Sequence, residues 1–175
     1  QDKKYIFFSE PYAHQREAFD ASADAQSFAL LLDMGTGKTK VTLDTVAYLF
    51  EKSSIEFVLV VAPKGVIANW TPEIERHLPP RIEREVVLWN PGLSQKRRDE
   101  LNELHTKSRR LKFLLMNVEA FSTNKGMDVA EIFVNRFKTF MVIDESTTIK
   151  NRNAKRTKAL CAVGRGAAYR RILTG

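Results

Sequence analysis

Six short apolar runs, rich in β-branched and aromatic residues, punctuate the chain: SFALLL (27–32), FVLVVA (57–62), EVVLW (85–89), KFLLMN (112–117), FMVID (140–144) and RRILT (170–174). Their lengths suit strands. Near-continuous apolarity, in place of alternation, predicts strands covered on both faces, as in a parallel sheet. Between them the period changes. Leu43, Val46, Ala47 and Phe50 fall at i, i+3, i+4 and i+7, one face of a helix. GVIANWTPEIERHL predicts a short helix stopped at Trp70, then a second with Thr71 as its cap and Pro72 at the first helical position. SQKRRDELNELH places Leu101 and Leu104 on one face of a charged helix. NAKRTKALCAVG predicts a helix capped by Asn153 and closed at Gly164, with Lys155, Arg156 and Lys158 outside. Strands alternating with helices predict an α/β fold, three layers αβα around a mainly parallel sheet. No repeat, low-complexity linker or internal boundary is evident, so residues 1–175 read as one domain.

One junction between these elements carries chemistry. After LLL, the stretch DMGTGKT turns the chain from a strand into a helix, with Gly35 and Gly37 bracketing Thr36 and with Lys38 and Thr39 following. Glycines permit the unusual dihedrals and close approach that let backbone N–H groups meet phosphate oxygens at a helix N-terminus. Lys38 then reaches the β- and γ-phosphates, and the Thr39 hydroxyl is placed to ligate Mg²⁺. The full pattern G-x-x-x-x-G-K-[ST] would need a glycine at position 32, where Leu32 stands. The alternative is a glycine turn beside a solvated lysine.

The run FMVID ends in a second candidate group. It delivers Asp144 and Glu145 to the carboxyl end of a strand, where open α/β sheets bind ligands. Asp144 would hold the Mg²⁺ shell, and Glu145 would orient and deprotonate an attacking water. A solvated acidic turn is the alternative for this pair taken alone.

Composition narrows the class without deciding it. A hydrophobic fraction of 43% and a charged fraction of 28% are those of an ordinary globular domain. The net charge of +7 favours a polyanionic partner. Cys161 is the only cysteine, which excludes an internal disulfide and a four-cysteine zinc site and gives the cytoplasm as the expected compartment. Cys161 itself reads as a small core residue on a helix. His14, His77 and His105 are scattered, without the spacing of a metal site. No run approaches the roughly 20 apolar residues that span a bilayer, so no membrane partner is expected. The chain opens at Gln1 and stops within RRILTG, which reads as one lobe cut from a longer protein.

PYAHQREAF (11–19), LLLDMGTGKT (30–39), VVAPKGVIANWTPEI (60–74), VIDESTTIKN (142–151) and RRILTG (170–175) occur in the order seen in superfamily-two helicases. They most resemble the Swi/Snf branch, which includes chromatin remodellers and many bacterial and phage relatives. The resemblance implies a RecA-like P-loop NTPase domain, the first of two lobes that clamp ATP and Mg²⁺ between them and ratchet along DNA. It implies that Gln15 reads the adenine edge, the alternative being an exposed helix glutamine. Gly35, Gly37, Lys38 and Thr39 match the phosphate loop, and Asp144 and Glu145 match the DExx box. Pro63 and Lys64 match a segment that touches the nucleic-acid backbone, with Asn69 and Trp70 following. Trp70 reads as a packing residue. Thr174 and Gly175 match the start of motif III.

Ser146 and Thr147 stand where the branch usually has alanine and histidine, so the histidine expected to carry a coupling contact is absent. That ending resembles phage or prophage versions. Lys150, Arg152, Lys155 and Arg156 lie just downstream and suit backbone contact with duplex DNA, or a solvated helix face. The second lobe would bring the arginines that complete the γ-phosphate site, so near-background hydrolysis is expected of this lobe alone. Two other readings share these motifs: a motor lobe of a restriction–modification complex, and a nucleotide-gated DNA-binding scaffold without productive turnover.

Overall fold

A computed structural model describes residues 4–33, 36–144 and 154–174. All six expected strands form: β1 Ser27–Leu31, β2 Phe57–Ala62, β3 Arg84–Leu88, β4 Leu111–Asn117, β5 Thr139–Asp144 and β6 Tyr169–Thr174. They make one sheet in the order β1-β6-β5-β2-β4-β3, every neighbouring pair parallel. The inner strand β2 has no residue more than 1% exposed, as its unbroken apolarity predicts.

Helices cover both faces. On one lie α1 (Ala13–Ser22), α2 (Lys38–Glu51), α3 (Lys64–Ile67) and α4 (Trp70–His77), whose apolar residues join Leu30, Val58, Val60, Phe113, Phe140 and Val142 in one core. On the other lie α5 (Gln95–Glu103), α6 (Asn124–Arg136) and α7 (Ala154–Gly166), packed with a 3₁₀ turn at Val118–Ser122 against Phe57, Leu59, Val61, Leu114 and Met141. Side chains alternate along each strand, so the two cores are the two faces of the same sheet.

Several local expectations shift. The helix after the glycine turn is buried nearly all round rather than along one stripe: Val41, Thr42, Leu43, Asp44, Thr45, Val46, Ala47 and Leu49 are all inside, because α1 and α4 close over it. α4 begins at Trp70 itself, with Asn69 before it, so Thr71 and Pro72 belong to its first turn instead of capping it. Proline is tolerated there because its missing N–H would have had no intrahelical partner. α7 runs on to Gly166, past Gly164. Cys161 lies on α7, as expected, but it is exposed. Asn153, the proposed cap, lies outside the described residues.

α6 was not anticipated. Its N-terminus is set by Thr123, whose hydroxyl accepts from the Gly126 N–H at 3.1 Å, and Ala130, Phe133 and Val134 supply its buried face. Arg171 is a polar intruder in β6: at 1% exposure it donates to the Ser22 carbonyl at 2.6 Å, at the C-terminal end of α1, and lies 5.1 Å from the Phe140 ring. Burial pushes its guanidinium down to about 10.

His105, just past α5, stacks on Phe133 at 4.1 Å. Burial, and secondarily Arg136, holds its imidazole below its ordinary range. A histidine depressed on folding binds its proton more tightly in the unfolded chain. Its contribution to stability is therefore whole above about pH 6.5 and is lost as the pH falls from there through the folded value. His77 is depressed by burial too, with the same sign. Thermal unfolding scans between about pH 7 and pH 5 should show a falling midpoint, and His105→Leu should make that slope shallower. An unchanged slope would remove His105 from the account.

Candidate nucleotide and nucleic-acid site

Because all strands run parallel, their carboxyl ends share one edge, and the candidate residues gather there. β6 separates β1 from β5, with Leu31 opposite Thr174 and Leu173 opposite Asp144. The loop leaving β1 and the carboxylate ending β5 are thus two strand spacings apart, about 10 Å. β2 is the next strand over, with Val61 opposite Ile143, and it delivers Pro63 and Lys64 to the same edge. Residues 38 and 144 share this edge through topology rather than sequence proximity.

The loop shows why its chemistry needs these residue types. Gly37 has φ +83°, the left-handed region that side chains rarely adopt. The conformation favours glycine, and a Cβ there would stand 2.2 Å from the Gln15 Nε2, so the Gln15 amide would have to give up its place. Gln15 is 5% exposed and both ends of its amide are engaged: Oε1 accepts from the Tyr12 N–H at 2.9 Å, and Nε2 donates to the Thr36 carbonyl at 3.2 Å. The exposed-glutamine alternative is thereby overturned. His14 Nε2 also lies 3.0 Å from that carbonyl, a contact the sequence reading missed.

Gly37 starts α2, which has no side-chain cap and no acid in its first turn. Such an N-terminus carries the positive end of a helix dipole and attracts anions. Lys38, half-buried, donates to the Leu32 carbonyl at 2.9 Å, which leaves two of its three protons for other acceptors. That carbonyl belongs to the residue standing where the longer motif has glycine. Thr36 closes the turn by donating its hydroxyl to the Asp33 carbonyl at 2.6 Å.

Two buried polar contacts around the site were not anticipated. Lys40 donates to Asp44 at 2.8 Å and to the Ser9 carbonyl at 3.1 Å, which fastens the segment before α1 to α2. Desolvation holds the Asp44 carboxyl above its ordinary range despite the Lys40 ammonium. The Trp70 indole N–H donates to Asp144 Oδ2 at 2.9 Å. Trp70, 2% exposed, packs as expected, but it also holds the carboxylate at the end of β5.

The oxygen donors present suit Mg²⁺. Thr39 is the second residue of α2, and Asp144 is a buried carboxylate on the same edge. Among the described residues no cluster of three or more His, Cys, Asp or Glu forms. Mg²⁺ beside phosphates needs none, since it is held by one or two protein oxygens, substrate phosphates and waters.

The basic residues divide. Lys64 and Lys155 are exposed, and Pro63 is half-buried as the residue preceding α3. Arg156 does not stand outside: it is half-buried, and its Nε donates to Ser122 Oγ at 3.0 Å, tying α7 to the 3₁₀ turn. Gly35, Glu145, Lys150 and Arg152 lie outside the described residues. No helix among the described residues is long and apolar enough to cross a membrane.

The family profile of the SNF2-related domain matches residues 14–175. The chain is similar to the chromatin structure-remodeling complex subunit snf21 of Schizosaccharomyces pombe, 31% identical over 147 residues, 82% of this chain and 11% of that protein. It is also similar to the ISWI chromatin-remodeling complex ATPase CHR17 of Arabidopsis thaliana, 32% identical over 82% of this chain and 12% of the relative. It therefore spans only about an eighth of such relatives. In three dimensions it resembles the Sulfolobus solfataricus SWI2/SNF2 ATPase core solved in complex with dsDNA, with a TM-score of 0.70 at 21% identity over 99% of this chain and 33% of that one.

Proposed function

Since the chain belongs to the SNF2-related domain family, we propose that it is the ATP-binding lobe of a DNA-dependent ATPase, a helicase-like translocase that couples hydrolysis to movement on DNA. The observation that carries this reading is the shared carboxyl edge, where an uncapped helix N-terminus with Lys38 and the buried Asp144 flank one strand.

In this reading, Gly35, Thr36 and Gly37 cradle the phosphates and Lys38 neutralises the charge developing on the γ-phosphoryl group. Thr39 and Asp144 would hold Mg²⁺, which when bound would supply charge neutralisation to the phosphate chain. Glu145 orients the attacking water, and Gln15, fixed against the loop, faces the adenine. Pro63, Lys64, Lys150, Arg152 and Lys155 contact the polynucleotide backbone, giving salt-sensitive binding with little base preference, while Arg156 is engaged with Ser122. The dsDNA in the Sulfolobus complex supports a duplex partner. A second RecA-like lobe of the same protein brings the arginines, worth about 10³–10⁵ in rate in such transfers. The expected compartment is the cytoplasm.

The test is steady-state ATP hydrolysis by the full-length protein with and without duplex DNA, beside a Glu145→Gln variant. Stimulation by duplex, with turnover lost and ATP binding kept in the variant, is the expected result. ATP binding without turnover in the unaltered protein would instead favour a nucleotide-gated scaffold.

A further inference from the structure

The contact between Trp70 and Asp144 does more than satisfy a buried indole. A tryptophan N–H is a donor only, and once buried it needs an acceptor. Many backbone carbonyls would serve, yet here the partner is the carboxylate at the sheet's ligand edge, 74 residues away in sequence. The terminal torsion of an aspartate is broad and nearly two-fold, so a carboxylate turns easily unless a donor fixes it. Trp70 is itself packed at 2% exposure in the core that includes Ile67 and Ile74. It is also the first residue of α4, separated from the end of α3 only by Ala68 and the exposed Asn69.

We propose that Trp70 is a positioning residue for Asp144: its N–H sets the rotation of the carboxylate, and so the direction from which Asp144 meets Mg²⁺. This rests on the reading of Asp144 as a magnesium-holding acid. It also gives Pro63 and Lys64, the expected polynucleotide contacts in this region, a short route through α3 to the metal side of the nucleotide site. The route does not need the histidine that position 147 lacks.

The experiment is ADP binding to the full-length protein, with and without Mg²⁺, in the unaltered chain and in Trp70→Phe, which keeps the ring and removes the donor. Partners that orient metal ligands typically change metal affinity by about 10–100-fold. The Mg²⁺ needed for half-maximal tightening of ADP should rise about ten-fold, while metal-free ADP affinity stays within about two-fold. Equal loss of both affinities means that Trp70 only supports the fold, and an unchanged Mg²⁺ requirement means that the N–H orients nothing. Either result overturns the proposal.

If the unaltered protein binds no Mg²⁺–ADP at all, the reading of the site fails first, before Trp70 is in question.

Discussion

Lys38→Ala in the full-length protein should lower DNA-stimulated ATP turnover at least about 100-fold, the range seen when one preorganised donor to a developing charge is removed. The ammonium stands at the mouth of α2, where the first turn holds no acid and the helix N-terminus carries only a partial charge. Folding should barely notice. The one described partner is the Leu32 carbonyl, on a half-exposed residue just past β1, which water can satisfy in its place. The unfolding midpoint should therefore move by no more than about 2 °C. Lys38→Arg should fail as well, because a planar fork cannot replace a compact point charge in a loop this tight. Phosphate-release kinetics beside a thermal scan check both halves. Turnover within about ten-fold of the unaltered protein would remove Lys38 from the chemistry.

The largest expected effect on stability falls at Gly126. Its φ is not the issue; space is. A Cβ there would lie 2.2 Å from the Ala120 carbonyl oxygen and 2.8 Å from its carbon. That carbonyl cannot swing aside, since it accepts from the Thr123 hydroxyl at 2.7 Å and from the Thr123 N–H at 3.1 Å. Gly126→Ala must therefore break the cap of α6 or open the 3₁₀ turn beneath it. Overpacking of this kind costs up to about 3 kcal/mol, and alanine returns about 1 kcal/mol of helix propensity. A net loss of about 2 kcal/mol should lower the midpoint by about 4–8 °C in a chain this long. Gly65→Ala is the control: nothing lies within 4 Å of its added Cβ, so no loss is expected there. Equal midpoints for the two variants would refute the steric argument.

The strands were readable because burial on both faces leaves an unbroken apolar run, and β2 is the clearest case. The glycine turn was readable because its constraint is local: a positive φ at Gly37 and a helix N-terminus right after it. α6 could have been read but was not. Met127, Ala130, Phe133, Val134 and Phe137 mark its buried side, interleaved with polar residues that hid the period. The polar contacts were beyond the reach of any spacing rule. Trp70 meets Asp144, and Arg171 meets Ser22, only because distant segments are folded onto the same core. Arg156 looked like an outward charge on helical spacing, and its bond to Ser122 comes from the turn packed beside α7. Gly35, Glu145, Lys150 and Arg152 lie outside the described residues, and their roles rest on the motif match.

Helix α1 is fastened at both ends, to the Thr36 carbonyl through Gln15 and His14 and to the buried Arg171 of β6 through the Ser22 carbonyl. A rod held in this way joins the Thr36 side of the glycine turn to β6. A shift at Thr36 would therefore pull on α1 and, through it, on the Ser22–Arg171 contact. The guanidinium of Arg171 is thus a fulcrum, and it sits in the strand that ends at Thr174.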